Sequence, residues 1–361
     1  MVTNNIEVNL MEKMIINGRY LTRTQTGQER FASEIIFELD KITEKGEFEL
    51  VCPRETIKIP ELKNIKITKY GNSSKNLWEQ IDLFHYSKKK KINTLNLTST
   101  CPIKSPGVTA VHDLLQEVHP EWFKGIYGTF SKLWHKIIMN SIVKKGKAII
   151  TVSQFSKEEI LEKRKFSKPI LVLGNGWEHT EKIKPDFSII EKKGLDNKDF
   201  FFSLGSTTPQ KNFKWIYEVA KRNPNYLFVI GGSGSRLQKQ SSFAEDNVLN
   251  VILLGRITDE EMKALMMKCK AYIYPSLHEG FGIPPLEALS CGAKLILSNS
   301  SCLPEIFKSS AFFFSPYDYN INLNEALQYK PTGTKEVLEN HTWSKYANEL
   351  LSFLRNNNYF L

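Results

Sequence analysis

The chain has 361 residues, 41% of them hydrophobic and 24% charged, which is the composition of a globular protein and excludes a disordered one. This length exceeds what one ordinary hydrophobic core contains, so we expect two domains of about 150 to 200 residues each. The net charge is +10, but no zinc-finger, RRM-like or helix-turn-helix signature accompanies it, so we do not expect nucleic acid as a partner.

Strand-length apolar runs alternate with helical patterns along the whole chain. In the first half, the runs at 13–16, 48–52, 94–97, 108–111 and 148–152 predict strands, and a helix is predicted at 28–39. In the second half, strands are predicted at 200–204, 226–230, 250–254, 271–274 and 294–297, with helices at 260–269 and 285–290. This alternation predicts an α/β protein with doubly wound parallel sheets.

A domain boundary is predicted where two glycines and an asparagine interrupt the pattern, at Gly174-Asn175-Gly176. We therefore expect a first domain over 1–174, a second over 175–340, and a final helical segment over 341–361. Ligands of such proteins bind beyond the carboxyl ends of the strands, in the cleft between the domains. The loops at those ends are the candidate functional segments.

One such loop, HEGFGIPPLE at 278–287, follows the strand predicted at 271–274 and begins a helix at its two prolines. Gly280 and Gly282 let a ligand approach the backbone closely, and the helix end favours anionic oxygen atoms. Glu279 in the loop and Glu287 about one helical turn into the helix could point into the same cleft, and carboxylates accept hydrogen bonds from the vicinal hydroxyls of a sugar or ribose. The alternative is that both are solvated carboxylates near a helix start.

The segment IYPSLHEGFGIPPLEALSCG resembles the E-x7-E signature of family 4 glycosyltransferases, which are retaining enzymes of the GT-B fold. The resemblance implies two Rossmann-like domains that face each other across a cleft, and a C-terminal helix (TWSKYANELLSFLR) that packs back toward the first domain. It also implies that Glu279 contacts the transferred sugar and Glu287 the ribose of a nucleotide sugar. The backbone of Phe281, Gly282 and Ile283 would lie near sugar and phosphate.

Two further loops of the second half resemble donor-binding segments of this family. GSTTPQKN, from Gly205 to Asn212, resembles the G-x-x-x-x-R-K-N loop that binds the donor diphosphate, with Lys211 as the matching cation. Ser206 and Gln210 stand where the family often has an arginine. LGRI resembles the segment beside the nucleobase, which implies base contacts near Arg256 and Ile257. The GGSGS run at 231–235 is a weak dinucleotide-binding signal, and a plain strand-to-helix turn is an equally good interpretation.

Two loops of the first half resemble the acceptor side of the family. His112 and Asp113 end a predicted strand and resemble its H-D loop, which implies that His112 donates a hydrogen bond to a sugar hydroxyl. A structural role is the alternative for a lone histidine. The segment containing Gly27, Gln28 and Arg30 resembles the glycine loop where the acceptor approaches the donor, although it has one glycine and not two.

The sequence predicts metal-independent chemistry, because no two of the nine aspartates have the D-x-D spacing of metal-dependent glycosyltransferases. Charge on the leaving group would be stabilised by Lys211, helix N-termini and backbone amides. The resemblance implies transfer of a hexosyl group, with retention, from a UDP- or GDP-linked sugar to a hydroxyl acceptor, without another cofactor. Two alternatives remain: a GT-B nucleotide-sugar epimerase, and a catalytically silent GT-B subunit.

The charge distribution predicts a membrane partner. Residues 1–175 hold 28 Lys and Arg against 19 Asp and Glu, a net +9, whereas the rest hold 21 and 20, a net +1. Within 121–147, aromatic residues alternate with lysines, as at the headgroup boundary of an anionic bilayer. We therefore expect a lipid-linked or cell-surface glycan acceptor, as in capsule or O-antigen synthesis. The alternative is a helix whose aromatics face the core and whose lysines face solvent.

The expected location is the cytoplasm, peripheral to the inner face of the cell membrane. No run reaches about 18 consecutive apolar residues, so a transmembrane helix is not expected. The first residues lack the apolar block of a signal peptide. Five cysteines without a C-x-x-C pair fit a reducing compartment and argue against a zinc site. The family resemblance gives residues 1–10 no counterpart, so Met11 is an alternative start.

Overall fold

Two parallel β-sheets form the centres of the computed structural model, which describes residues 13–232 and 248–360. The first sheet has seven strands in the order β3-β2-β1-β4-β5-β6-β7. Its strands are β1 (Met14–Asn17), β2 (Phe48–Cys52), β3 (Lys66–Lys69), β4 (Thr94–Asn96), β5 (Val108–Ala110), β6 (Ala148–Thr151) and β7 (Ile170–Val172). Residues 1–10, Met11 and the 233–235 part of the GGSGS run lie outside the described residues.

The second sheet has six strands in the order β10-β9-β8-β11-β12-β13. Its strands are β8 (Phe200–Leu204), β9 (Leu227–Gly231), β10 (Val251–Gly255), β11 (Ala271–Tyr274), β12 (Leu295–Ser298) and β13 (Ala311–Phe314). Within the described residues, every strand pair of both sheets is parallel, for example Ile16 beside Leu50 and Tyr272 beside Leu295. Parallel strands are covered by helices on both faces, which explains why they are nearly continuous apolar runs.

Helices connect the strands and cover the sheets. Those of the first domain are α1 (Gly27–Ile42), α2 (Lys75–Trp78), α3 (Phe84–Lys90), α4 (Leu115–Val118), α5 (Gly125–Lys145) and α6 (Gln154–Lys163), with a π-helical turn between α2 and α3. Later helices are α7 (Ser188–Lys192), α8 (Phe213–Arg222), α9 (Asp259–Lys268), α10 (Ile283–Ser290), α11 (Leu303–Phe307), α12 (Leu323–Gln328), α13 (Thr334–Asn340) and α14 (Trp343–Asn356). Of the helices in the described ranges, none is both long and apolar enough to cross a bilayer.

The predicted architecture of two doubly wound parallel-sheet domains is confirmed. Each of the ten predicted strands is present, with ends that differ from the prediction by one residue at most. The sequence analysis missed three strands, β3, β7 and β13, and each of them lies at an edge of its sheet. The predicted helices at 28–39, 260–269 and 285–290 correspond to α1, α9 and α10.

The start and the end of the second domain are hydrogen-bonded to each other, next to the first domain. The chain leaves the first sheet after β7, and α14 returns to pack against α1. At the start of α14, the backbone N–H groups of Trp343 and Ser344 donate to the Glu178 carboxylate, at 2.9 and 3.3 Å. A carboxylate at a helix N-terminus is stabilised by the unpaired N–H groups there. Glu178 lies in the segment 173–187, between β7 and α7, which we call the interdomain linker. This contact therefore connects the interdomain linker to the last helix.

Candidate functional site

A cleft of about 520 Å³ lies between the two domains, at the carboxyl ends of both sheets. Loops of both domains line it, including the first turn of α1, the loop after β8 and the turn that precedes α10. Every residue predicted for the site lines this cleft, with the exceptions of Asn212, Arg256 and Ile257. The structure therefore brings together segments that are more than 250 residues apart in the sequence.

Glu279 is held by a cation and two hydroxyl groups. Its Oε1 atom accepts a hydrogen bond from Lys211 Nζ at 2.6 Å and from the Tyr274 hydroxyl at 2.9 Å. The Ser276 hydroxyl donates to the same oxygen. The side chains of Glu279 and Lys211 are only 12% and 15% exposed, so their charges are paired in a largely desolvated place. The lysine predicted for the diphosphate thus also neutralises the glutamate predicted for the sugar.

Tyr274 fixes the geometry of this pair from the end of β11. Its hydroxyl accepts from Lys211 Nζ at 2.7 Å and donates to Glu279, so one hydroxyl serves both partners. The ammonium also lies 5.0 Å from the centre of the Tyr274 ring. Burial, and next the charge of Glu279, raises the pKa of Tyr274 well above its ordinary value. The tyrosine therefore keeps its proton and remains a hydrogen-bond donor to Glu279.

Glu287 has a different set of partners. Its Oε1 atom lies 2.8 Å from Nε2 of His179, in the interdomain linker, and 3.7 Å from Nε of Arg30, in α1. Glu287 and His179 are both buried. Within the described residues no donor reaches Oε2, the other carboxylate oxygen, and Glu287 lines the cleft. One oxygen of Glu287 is thus fixed by the protein, and the other is left for a ligand.

Arg30 bridges the two domains across the cleft. Its Nη2 atom donates to Asp259 Oδ2 at 2.7 Å, in addition to the contact with Glu287. Burial lowers the pKa of Arg30, but the charges of Glu287 and Asp259 outweigh this effect and the net shift is upward. Arg30, which was predicted to meet the acceptor, therefore faces two carboxylates of the second domain.

The two glycines of the turn between the glutamates allow two different close approaches. A Cβ atom at position 280 would lie 2.2 Å from the backbone oxygen of His112, so the turn contacts the first domain directly. Gly282 has a φ of +102° and precedes α10, which suits glycine. The proline pair then begins the helix as predicted. Close contact between the domains therefore requires a residue without a side chain at position 280.

The geometry of His112 changes its expected role. Its Nε2 atom lies 3.0 Å from the carbonyl oxygen of Leu97, and a carbonyl only accepts, so Nε2 carries the hydrogen. Burial lowers the pKa of the His112 ring, which favours the neutral form. In that form Nδ1 is an acceptor. The expectation that His112 donates to a sugar hydroxyl is therefore revised: a sugar hydroxyl at Nδ1 would donate to it.

Three predicted residues lie outside the cleft lining. The Asn212 side chain donates to the carbonyl oxygens of Pro275 and Pro316, at 3.2 and 3.0 Å, which fixes the loop within its own domain. Ile257 packs against the core beside β9. Arg256 is exposed and lines a neighbouring cavity of about 740 Å³ together with residues 20–25 and 55–58 of the first domain. The base contacts predicted near Arg256 and Ile257 therefore lie outside the lining of the 520 Å³ cleft and stay a prediction.

His278, of the second domain, packs against titratable side chains of the first domain. Its ring meets the rings of His119 and Phe155 edge-on, at 5.4 and 5.7 Å, and its Nε2 is 3.6 Å from Glu159 Oε2. Burial, and next the charge of Asp113, raises the pKa of Glu159 to about 7. Burial lowers the pKa of His278. Both shifts disfavour the charged forms, so this contact is chiefly one of packing near neutral pH.

The sequence analysis missed three residues that shape the site. Tyr274 and Ser276 lie five and three residues before Glu279, within the segment that resembles the family signature, so the sequence did contain a signal for them. His179 lies in the predicted boundary region and belongs to no motif that we identified, so no signal pointed to it. In the described ranges, no group of three or more His, Cys, Asp or Glu side chains is arranged to bind a metal ion.

Residues 186–349 match the family model described as Glycosyl transferases group 1. The chain is 28% identical over 228 residues to the serotype-specific mannosyltransferase WbdA of Escherichia coli, an alignment that covers 58% of this chain and 27% of that protein. It is 27% identical over 241 residues to the O-antigen chain mannosyltransferase RfbU of Salmonella typhimurium, covering 65% of this chain and 64% of that one. The chain thus spans about a quarter of the first relative.

Solved structures share the fold over nearly the whole chain. Sucrose-phosphate synthase from Thermosynechococcus elongatus superposes with a TM-score of 0.71 and 13% identity, covering 96% of this chain and 98% of that one. HepE of Anabaena, in complex with UDP and glucose, gives 0.70 and 14%, covering 96% and 100%. At these identities the similarity establishes the fold alone. That fold is GT-B, as predicted.

The close contact at Gly280 gives the first prediction. Gly280→Ala would place a methyl group 2.2 Å from a backbone oxygen, which cannot rotate away as a side chain can. We expect a loss of about 1–3 kcal/mol of stability, or an opening of the cleft, as for other overpacked positions. Thermal unfolding and small-angle scattering would measure the two outcomes. Gly27→Ala is the control, because its methyl meets only Ile283 Cδ1 at 3.5 Å; equal behaviour of both variants would contradict the contact.

Proposed function

We propose that this protein, in which residues 186–349 match the model of the group 1 glycosyl transferases, transfers a hexosyl group from a nucleotide-diphosphate sugar to a hydroxyl acceptor. The observation that carries the proposal is the pairing of Glu279 with Lys211 at the cleft, opposite a second carboxylate, Glu287, with a free oxygen. The Lys211 cation can bind a diphosphate, and the adjacent Glu279 carboxylate can accept a hydrogen bond from a sugar hydroxyl. The other carboxylate provides for a ribose.

The relatives support a particular donor and acceptor class. Two of them are described as mannosyltransferases, one of them for an O-antigen chain, and a structural neighbour was solved with UDP and glucose. We therefore propose a hexose, with mannose as the first candidate, carried on GDP or UDP. The proposed acceptor is a lipid-linked or cell-surface glycan in the synthesis of a capsule, an O-antigen or a similar polysaccharide. No further cofactor is required by this reaction.

The proposed reaction is a direct transfer with retention at the anomeric carbon. The bond from the anomeric carbon to the donor phosphate oxygen breaks, and the acceptor hydroxyl oxygen forms the new bond on the same face. The acceptor proton passes to the departing phosphate oxygen, so no residue serves as a covalent nucleophile. Lys211 and the N-terminus of α10 stabilise the negative charge that develops on the nucleoside diphosphate. Metal-independent transfer is part of the proposal.

A silent GT-B subunit is the second candidate, because Ser206 and Gln210 occupy the places where an arginine would add charge. The backbone oxygen of Gln210 accepts from Leu277 N–H at 2.7 Å, so this loop is fixed beside Glu279. Release of nucleotide from a donor sugar, with and without acceptor, separates an enzyme from a binding subunit. A protein that binds the donor but never releases nucleotide would favour the silent subunit.

The two glutamates should affect different steps. Glu279→Gln should lower turnover by about 100-fold, the order found when one positioned transition-state contact is lost. Glu287→Ala should chiefly raise the donor KM, because a ribose contact persists unchanged through the reaction. Steady-state kinetics with GDP- and UDP-sugars would measure both effects. Wild-type turnover from Glu279→Gln would rule out the role assigned to Glu279.

Lys211 should bind the donor diphosphate. A hydrogen bond to a charged group contributes about 1.5–3 kcal/mol, so Lys211→Ala should weaken nucleoside-diphosphate binding by about 10- to 150-fold. Calorimetry should show unchanged binding of the nucleoside without phosphates. Lys214→Ala, at an exposed lysine three residues away, is the control. If both variants bind the diphosphate like wild type, the loop assignment fails; activity should also persist in EDTA.

The surface of α5 supports a membrane partner. Five apolar side chains along this helix are exposed: Ile126, Tyr127, Phe130, Leu133 and Ile137. We call this set the α5 stripe. Tyr127 and Phe130 are 92% and 66% exposed, so the alternative in which the aromatics form the core face does not hold for them. Lys124 and Lys136, both exposed, lie next to the stripe.

This arrangement matches an interfacial helix. Apolar side chains insert at the headgroup boundary while neighbouring lysines meet lipid phosphate, and each basic residue near the surface contributes about 1 kcal/mol. Lys144, Lys145 and Lys147 are exposed too, but they lie at the other end of the helix, about 30 Å away along 21 residues. There the helix buries its apolar residues. The N-terminal half of α5 is thus the proposed contact with an anionic membrane, on the inner face of the cell membrane.

Vesicle binding tests this contact. Tyr127→Ser with Phe130→Ser should abolish co-sedimentation with anionic phosphatidylglycerol vesicles and leave nucleotide binding intact, because the stripe lies outside the cleft. Lys124→Glu with Lys136→Glu should weaken binding at low salt, since the attraction is screened over about 8 Å at physiological ionic strength. Tyr317→Ser, at an exposed tyrosine of the second domain, is the control. Equal binding to neutral and anionic vesicles, or none to either, would contradict the proposal.

A further inference from the structure

Three buried side chains from distant parts of the chain form a hydrogen-bonded series that ends at the cleft. The indole Nε1 of Trp343, the first residue of α14, lies 3.0 Å from Nδ1 of His179 in the interdomain linker. Nε2 of the same ring lies 2.8 Å from Oε1 of Glu287 in α10. All three residues are at most 4% exposed. The series therefore connects the last helix to the cleft carboxylate without access to bulk water.

The chemistry of the two end groups fixes the hydrogen position on the middle ring. An indole N–H only donates, so Nδ1 of His179 must be the nitrogen without a hydrogen. The hydrogen then resides on Nε2, which donates to the Glu287 carboxylate. If Nδ1 also carried a proton, its N–H would point at the indole N–H of Trp343, and neither group could accept the other's hydrogen. Trp343 thus selects one neutral tautomer of His179, the one that presents a donor to Glu287.

We propose that His179 is a positioning residue that aims Glu287 at the ribose hydroxyls of the donor, and that Trp343 holds His179 in the tautomer this requires. The inference rests on the proposed function, because it assigns Glu287 to the ribose. Both protein contacts of Glu287, from His179 and from Arg30, are made to Oε1. The carboxylate is thereby held by one oxygen, which leaves Oε2 to accept hydrogen bonds from a ligand in the cleft that Glu287 lines.

Fixing this carboxylate before the ligand arrives has a physical advantage. A glutamate side chain loses rotamer freedom when a ligand immobilises it, and this cost is avoided if the protein has already done so. A neutral imidazole can hold the carboxylate without cancelling its charge. The partner on the other side of His179 belongs to α14, which packs on α1 of the first domain. Docking of the last helix is thus linked to the geometry of the donor site.

The first test detects the tautomer and needs no ligand. In protein labelled with 15N-histidine, NMR should show His179 with a protonated Nε2 and an unprotonated Nδ1. The signal is assigned by its absence in His179→Gln. In Trp343→Phe the Nδ1 position loses its hydrogen-bond donor, so the 15N shift of Nδ1 should change while Nε2 keeps its hydrogen toward Glu287. A doubly protonated His179 in wild type, or no change in Trp343→Phe, would overturn the assignment.

The second test asks whether His179 acts through the ribose contact. UDP and GDP are titrated by calorimetry into wild type, His179→Gln and His179→Leu, each beside the corresponding 2′,3′-dideoxy nucleotide. His179→Leu removes a hydrogen bond to a charged group and should weaken ribonucleotide binding by about tenfold. Dideoxy nucleotide binding should not change. His179→Gln, whose amide can donate from a similar position, should recover most of the affinity.

The outcomes separate this inference from the proposed function. A merely structural histidine would weaken ribo- and dideoxynucleotides equally, and that result would overturn the positioning role while leaving the function intact. If wild type binds neither UDP nor GDP, the proposed function fails, and the ribose part of the inference fails with it. The tautomer assignment is still decided by NMR in that case. If His179→Leu does not fold, the comparison of Trp343→Phe with wild type on the two nucleotide types replaces it.

Discussion

A carboxylate removed from water must be paired, and the two glutamates of the cleft meet this requirement in different ways. Glu279 is paired within its own domain, by Lys211 and by hydroxyls from the end of β11. Glu287 is held by a histidine of the linker and lies near an arginine of the first domain. The first arrangement persists when the domains separate. The second requires the linker, α10 and α1 to be in place together, so the site is complete only in the assembled two-domain protein.

The contact between the domains follows from this requirement. Gly280 meets the His112 backbone, Arg30 reaches Asp259, and α14 packs on α1, so three separate contacts close the same cleft. Only Gly280 and the packing of α14 depend on shape, whereas the Arg30 contacts depend on charge. A ribose at Glu287 would meet Arg30 at the same place. Under the proposed function, donor binding would then be coupled to the relation between the domains through one side chain, which the acceptor assignment of Arg30 did not anticipate.

The sequence predicted the central strands well and the edge strands poorly, and the reason is physical. Central parallel strands such as β1 and β6 are buried on both faces and are therefore continuous apolar runs. The edge strand β3 has the sequence KITK and no buried residue, so it lacks that signal. The loops of the site were predicted because ligands of parallel-sheet domains bind beyond the carboxyl ends of the strands. The partners within the cleft were not, because the contact of His179 with Trp343 joins residues 164 positions apart.

The position of the α5 stripe relative to the cleft gives the two proposals a common geometry. The chain that leads into α5 contains His119, which stacks on Trp122 at 3.9 Å and meets His278 of the second domain edge-on. His278 is the residue directly before Glu279. If the start of α5 meets a membrane, as proposed, His119 links that contact to the cleft through His278. The net charge of +9 over residues 1–175, against +1 for the rest, fits the proposal that the first domain meets an anionic surface while the donor contacts belong to the second.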